Sequence, residues 1–151
     1  MGRLGSIRIF KLSGRGVARV LGPLETEVIE EVWRQGETTT IRRVWDALRR
    51  QRPMSFNTVM TVMNRLAEKG ILIRRGQTGS YRFFARVNRE VFLAGVSKAI
   101  AAGLIRDFGD YAVAEFVAAL READPEKLEE LRRTVAAAGK GRSDPERSSD
   151  Q

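Results

Sequence analysis

The sequence predicts a mainly α protein with a small β-hairpin wing: a winged helix-turn-helix followed by a helical dimerisation module. Three observations carry that expectation. Residues 41–70 hold two amphipathic helical stretches joined by a short turn containing Pro53. Residues 71–85 hold two β-favouring runs around a glycine-containing turn. From Asn88 the chain is helical in pattern and rich in alanine. Helix, turn, helix and hairpin, in that order, set a reading helix beside a flanking wing. The expected division is a flexible basic arm over 1–20, a winged-helix domain over 21–86, a helical dimerisation domain over 87–138 and a tail of disorder-like composition over 139–151.

Composition narrows the function classes first. A chain of 151 residues is long enough to bury a core without staples. It has neither cysteine nor histidine. That removes disulfides, thiolate metal sites and the commonest metal ligand and general base, so no enzyme, cofactor or metal centre is expected. No apolar run reaches the length of a membrane span, and the N-terminus lacks the apolar core of a secretory signal, so a cytoplasmic protein is expected. The net charge is +8, and it is unevenly spread. Residues 1–20 carry +5, 21–40 carry −4, 41–86 carry +9 and 87–138 carry −2. Positive charge gathers in the arm and around the helix pair, the electrostatic footprint of a nucleic-acid binder.

Each element then has its own local signals. The first helix starts at Gly22 and Pro23, with Glu25 and Glu27 near the positive end of its dipole. Its stripe is Leu24, Val28, Ile29, Val32 and Trp33, and Gly36 ends it. Residues 38–40 are three threonines, a β-favouring run that can also cap the next helix. Ile41, Val44, Trp45 and Leu48 follow at helical spacing. The third helix, 55–70, is capped by Ser55 and closed by Gly70. At about 100° per residue its apolar side holds Phe56, Val59, Met60, Val62, Met63, Leu66 and Ala67. Its polar side holds amides, hydroxyls and two cations, the groups that read base edges and phosphates in a major groove. The hairpin after it, Ile71 onward to Ala85 around Gln77-Thr78-Gly79-Ser80, brings Arg74, Arg75 and Arg82.

The second half predicts three helices with stripes of their own. Asn88 and Asp124 are cap residues, and Pro125 suits a first helical turn. Amphipathic helices this short cannot bury their stripes alone. A dimer interface is therefore expected on Phe92, Val96, Ile100, Leu104, Phe116, Leu120, Leu128 and Leu131.

The run L21-G-P-L-E-x-E-V, then V32-W, T40-I-R-x-V-W-x-x-L, N57-T-V-x-T-x-x-x-R-L-x-E-K-G and the R-x-x-G-x-x-Y-R-F hairpin resembles the BlaI/MecI family of penicillinase repressors. The likeness is close over 21–86 and looser over 88–138. It implies a homodimeric repressor bound to a palindromic double-stranded DNA operator and released by an upstream sensor or protease. It implies base contacts from Asn57, Thr58, Thr61 and Arg65 and backbone contacts from Arg42, Arg43, Lys69, Arg74, Arg75 and Arg82. Two features depart from the family. Its well-studied members are cut at an Asn–Phe bond, and the nearest pair here is Glu115-Phe116. The copper-responsive relatives carry cysteines, and this chain has none. Two rivals stand beside this reading. One is a MarR-like repressor with a ligand pocket in the helical half. The other is a basic RNA- or ribosome-associated protein, disfavoured because the major groove of A-form RNA does not admit a helix.

Overall fold

The computed structural model describes residues 15–140. A short 3-10 helix, Gly16–Arg19, precedes α1 (Pro23–Gln35), α2 (Ile41–Leu48), α3 (Phe56–Glu68), β1 (Leu72–Arg75), β2 (Arg82–Ala85), α4 (Arg89–Phe108), α5 (Asp110–Ala123) and α6 (Pro125–Lys140). The chain divides into two compact units after Ala101, within α4. The first unit is a winged helix-turn-helix, and the second is entirely helical over its described residues.

In the first unit, α1, α2 and α3 turn their apolar stripes onto one core. Val28, Ile29 and Val32 meet Val44, Leu48, Val59, Val62, Met63 and Leu66, each almost fully buried. The hairpin closes this core with Leu72 and Phe83. β1 and β2 pair antiparallel, with Leu72 opposite Ala85, Ile73 opposite Phe84, Arg74 opposite Phe83 and Arg75 opposite Arg82. Thr39 adds a third rung. Its N–H donates to the Phe83 carbonyl at 2.8 Å, and the Phe83 N–H returns the bond at 2.9 Å. Its neighbour Thr40 caps α2 by accepting from the Arg43 N–H at 3.2 Å. The threonine run thus fills both of its expected roles.

The turns explain where the elements stop. At the end of α3, the Ile71 N–H donates to the Leu66 carbonyl at 2.9 Å and the Gly70 N–H to Ala67 at 3.0 Å. This paired bonding is a Schellman cap, and it needs a residue at positive φ; Gly70 sits at +76°. At the hairpin turn, Gly76 has φ +100°, and a Cβ there would meet the Ser80 carbonyl oxygen at 3.2 Å. Both positions therefore favour glycine.

Two expectations are corrected. The flexible arm was expected to reach residue 20. Val17 is instead 2% exposed and belongs to the core, so the fold begins by Gly16; residues 1–14 lie outside the described residues. Phe92 and Val96 were expected at a dimer interface. They are buried in the chain's own core, Phe92 against the Trp33 ring at 5.4 Å. Trp33 also donates from Nε1 to the Val87 carbonyl at 2.9 Å, and Asn88 caps α4 through the Val91 N–H at 2.8 Å. The start of α4 is thereby part of the first unit.

In the second unit, α5 and α6 contact each other and are joined through Asp124, which accepts from the Lys127 N–H at 3.1 Å. Neither helix contains a buried residue. Residues 141–151, most of the expected tail, lie outside the described residues.

Candidate nucleic-acid interface

The candidate interface is built on α3, the turn before it and the wing after it. The Ser55 side chain starts α3 by accepting from the Thr58 N–H at 3.1 Å. Trp45 of α2 fixes the approach to that cap. Its Nε1 donates to the Met54 carbonyl at 2.8 Å, and its ring meets Phe56 edge-on at 5.7 Å. With the core holding Val59, Val62, Met63 and Leu66, the opposite side of α3 is forced outward.

Asn57, Thr61 and Arg65 are exposed and follow one another at i, i+4 and i+8, so they form one stripe along the helix. Among the described residues, none of their side chains is held by a hydrogen bond or a salt bridge. Thr58, the fourth expected base reader, is half-buried, and its hydroxyl lies 2.7 Å from the Ser55 Oγ. Its side chain serves the cap.

The cations expected on the DNA backbone fall into two groups. Three are engaged within the fold. Lys69 donates from Nζ to Glu25 Oε1 at 2.6 Å. Arg42 pairs with Asp46 at 3.5 Å and lies over the Trp45 ring at 5.1 Å. Arg74 donates to Asn64 Oδ1 at 2.7 Å and lies over the Tyr81 ring at 4.5 Å. The other three face no carboxylate among the described residues. Arg43 donates to the Thr38 carbonyl at 3.4 Å. Arg75 and Arg82 are direct cross-strand partners, with Arg75 over the Phe84 ring at 5.2 Å. Two like charges opposite each other destabilise a ladder, and an anion between them reverses that penalty.

α1 accounts for one of these ties, Lys69, and for three more cations. Its acidic residues each hold one cation: Glu25 holds Lys69, Glu27 holds Arg52 through both carboxylate oxygens, Glu30 holds Arg89, and the buried Glu31 holds Arg34. Glu25 is 14% exposed. Burial pushes its carboxyl up, but the Lys69 hydrogen bond, the Gly22 N–H and the charges of Lys69 and Arg65 outweigh it and hold the group below its ordinary value.

Residues missed in the sequence also contribute. Asn64 ties α3 to the wing, and Arg86 donates from Nε to the Gly70 carbonyl at 2.6 Å, pinning the wing's base to the end of α3. Asn64 sits on the polar edge of the helix, but no local signal announces a partner ten positions away. Of the remaining residues expected at a dimer interface, Ile100 is half-buried in the first unit. In the second unit Leu104 and Phe116 are exposed, and Leu120, Leu128 and Leu131 are half-buried.

No described helix is long and apolar enough to cross a membrane. The sequence model of the penicillinase repressor family matches residues 21–137. Two relatives named transcriptional regulator BlaI, from Mycobacterium tuberculosis strains CDC 1551/Oshkosh and ATCC 25618/H37Rv, are each 34% identical over 76 residues. That stretch is 50% of this chain and 55% of each relative, so the chain spans about half the length of the relatives it matches.

Proposed function

Since the chain belongs to the penicillinase repressor family, a family of regulators and not of enzymes, we propose that it is a dimeric, sequence-specific transcriptional repressor of a palindromic operator. The observation that carries this reading is the exposed stripe of α3 beside the Arg75–Arg82 pair of the wing. Asn57, Thr61 and Arg65 combine an amide, a hydroxyl and a guanidinium, which suit base edges in the major groove. Arg43, Arg75 and Arg82 supply backbone contacts that set register without reading sequence. Thr58 contributes through the cap of α3. Arg42 and Lys69 reach phosphate only by exchanging Asp46 and Glu25 for it.

The second unit supports the homodimer. α5 and α6 bury no residue and leave Tyr111, Val113 and Phe116 exposed, and helices of this kind need a partner. A second copy presents the same faces and places two reading helices on half-sites one helical turn apart, or a multiple of it. Occupying the operator blocks transcription. Cleavage between Glu115 and Phe116 would have to act on a helix, because both lie inside α5.

The test is recovery of bound fragments from the genome of the source organism, followed by sequencing. A shared inverted repeat supports the repressor. Fragments without a common sequence overturn it and favour a nonspecific architectural role. Structured RNA bound as tightly as duplex DNA would favour the RNA-associated alternative.

A further inference from the structure

We propose that Arg74 is a positioning residue, a latch that fixes the wing against α3, and not a phosphate contact. The proposal rests on the reading above, in which α3 and the wing meet DNA together.

The register decides which way Arg74 points. Side chains alternate across a strand, so Leu72 and Arg74 share one face of β1, and their partners Ala85 and Phe83 share the same face. Leu72 and Phe83 are buried on α3's side of the hairpin. Arg74 is therefore turned toward α3, whereas Arg75 and Arg82 lie on the other face.

Its guanidinium is held twice. Nη1 donates to Asn64 Oδ1 at 2.7 Å, and the cation lies 4.5 Å from the centre of the Tyr81 ring. A charged donor strengthens the hydrogen bond, and the ring face adds electrostatic attraction. Between α3 and β1 runs a cleft of about 290 Å³, lined by Asn64, Ala67, Glu68, Leu72, Ile73, Arg74 and Arg86. The wing's base is packed through Ile71 and Leu72 and pinned by Arg86. Leu72 and Arg86 line the cleft at that base, and the Arg74–Asn64 bond joins its two sides farther along β1. The latch thus sets how far Arg75 and Arg82 stand from Arg65 and Thr61, the spacing that one DNA strand would have to fit.

The test uses the full chain and four variants: Arg74→Met, Asn64→Leu, their double substitution, and Asn64→Asp, which keeps the acceptor. Amide hydrogen exchange of β1 and β2 is measured without DNA. Binding to duplex DNA is measured at fixed salt. Asn64→Leu and Arg74→Met should each speed wing exchange roughly fivefold, while Asn64→Asp keeps the protection. On DNA the two single variants should lose affinity by similar factors, and the double variant should lose little more, because both remove one link. Asn64→Leu retains every cation, so its loss on DNA is what a phosphate contact does not predict. Unchanged wing exchange in Asn64→Leu, or DNA binding that weakens only with Arg74→Met, would overturn the latch. If the unaltered chain fails to bind DNA, the repressor reading falls, and the exchange rates still decide the latch.

Discussion

Phe92 and Val96, near the start of α4, are 1% and 4% exposed, whereas Leu104, Ile105 and Phe108, toward its end, are 46%, 57% and 59% exposed. The first pair closes the core of the winged-helix unit, and the second group belongs to the unit that has no buried residue among those described. One helix therefore serves a finished core at one end and an open face at the other. The contrast shows that an apolar stripe specifies a face but not what covers it. In the first unit, three helices and a hairpin supply each other's partners. In the second, α5 and α6 hold no buried residue.

The contrast breaks most visibly under substitution of a fully buried ring. Phe83 sits at the junction of hairpin, Thr39 and core, and Phe83→Ala should cost about 3–5 kcal/mol, read as a fall in denaturant midpoint. Phe116→Ser should do the reverse in kind. It should leave the winged-helix unit folded and weaken self-association by on the order of 2 kcal/mol per protomer, followed by sedimentation over a dilution series. If Phe116→Ser unfolds the first unit, or the unaltered chain is monomeric throughout, the open face is not an interface.

The next substitution sharpens the comparison inside the first unit. Arg65→Ala should cost roughly 1–3 kcal/mol on operator DNA and little on random duplex. Equal losses on both would move Arg65 from base reading to backbone contact. The smallest effect concerns Glu25. Its carboxyl is lowered in the fold from 4.5, so the Lys69 pair contributes fully above that value and is lost as pH falls through the lower folded value. Glu25→Gln should cost about 1 kcal/mol at neutral pH, and the stability curves of the two proteins should converge in acid. Curves that stay parallel from neutral pH down through the folded value would show that the pair adds no stability.

Legibility in the sequence follows the range of the interaction. Ser55, Gly70, Asn88 and Asp124 act within a turn or two of themselves, and each is a cap as its residue type suggests. The stripes of α1, α2 and α3 are legible for the same reason, since a period needs only its own helix. Lys69 and Glu25 are 44 positions apart, and Arg74 and Asn64 are ten apart across a turn, so nothing local foretells that these cations are spoken for. Val17 escapes notice because it sits in a glycine-rich cationic stretch without periodicity. Phe92 and Val96 have the right pattern for a helix face, but the pattern does not say that Trp33 lies across from it.

The acids of α1 have one more consequence. They hold Lys69, Arg52, Arg89 and Arg34, whereas Arg43 on α2, Arg50 in the turn after it, Arg65 on α3 and Arg75 and Arg82 on the wing have no carboxylate partner among the described residues. A polyanion then exerts a torque on the molecule as well as a pull. On the repressor reading proposed above, a DNA surface would turn the domain before contact, so that α3 and the wing would arrive first.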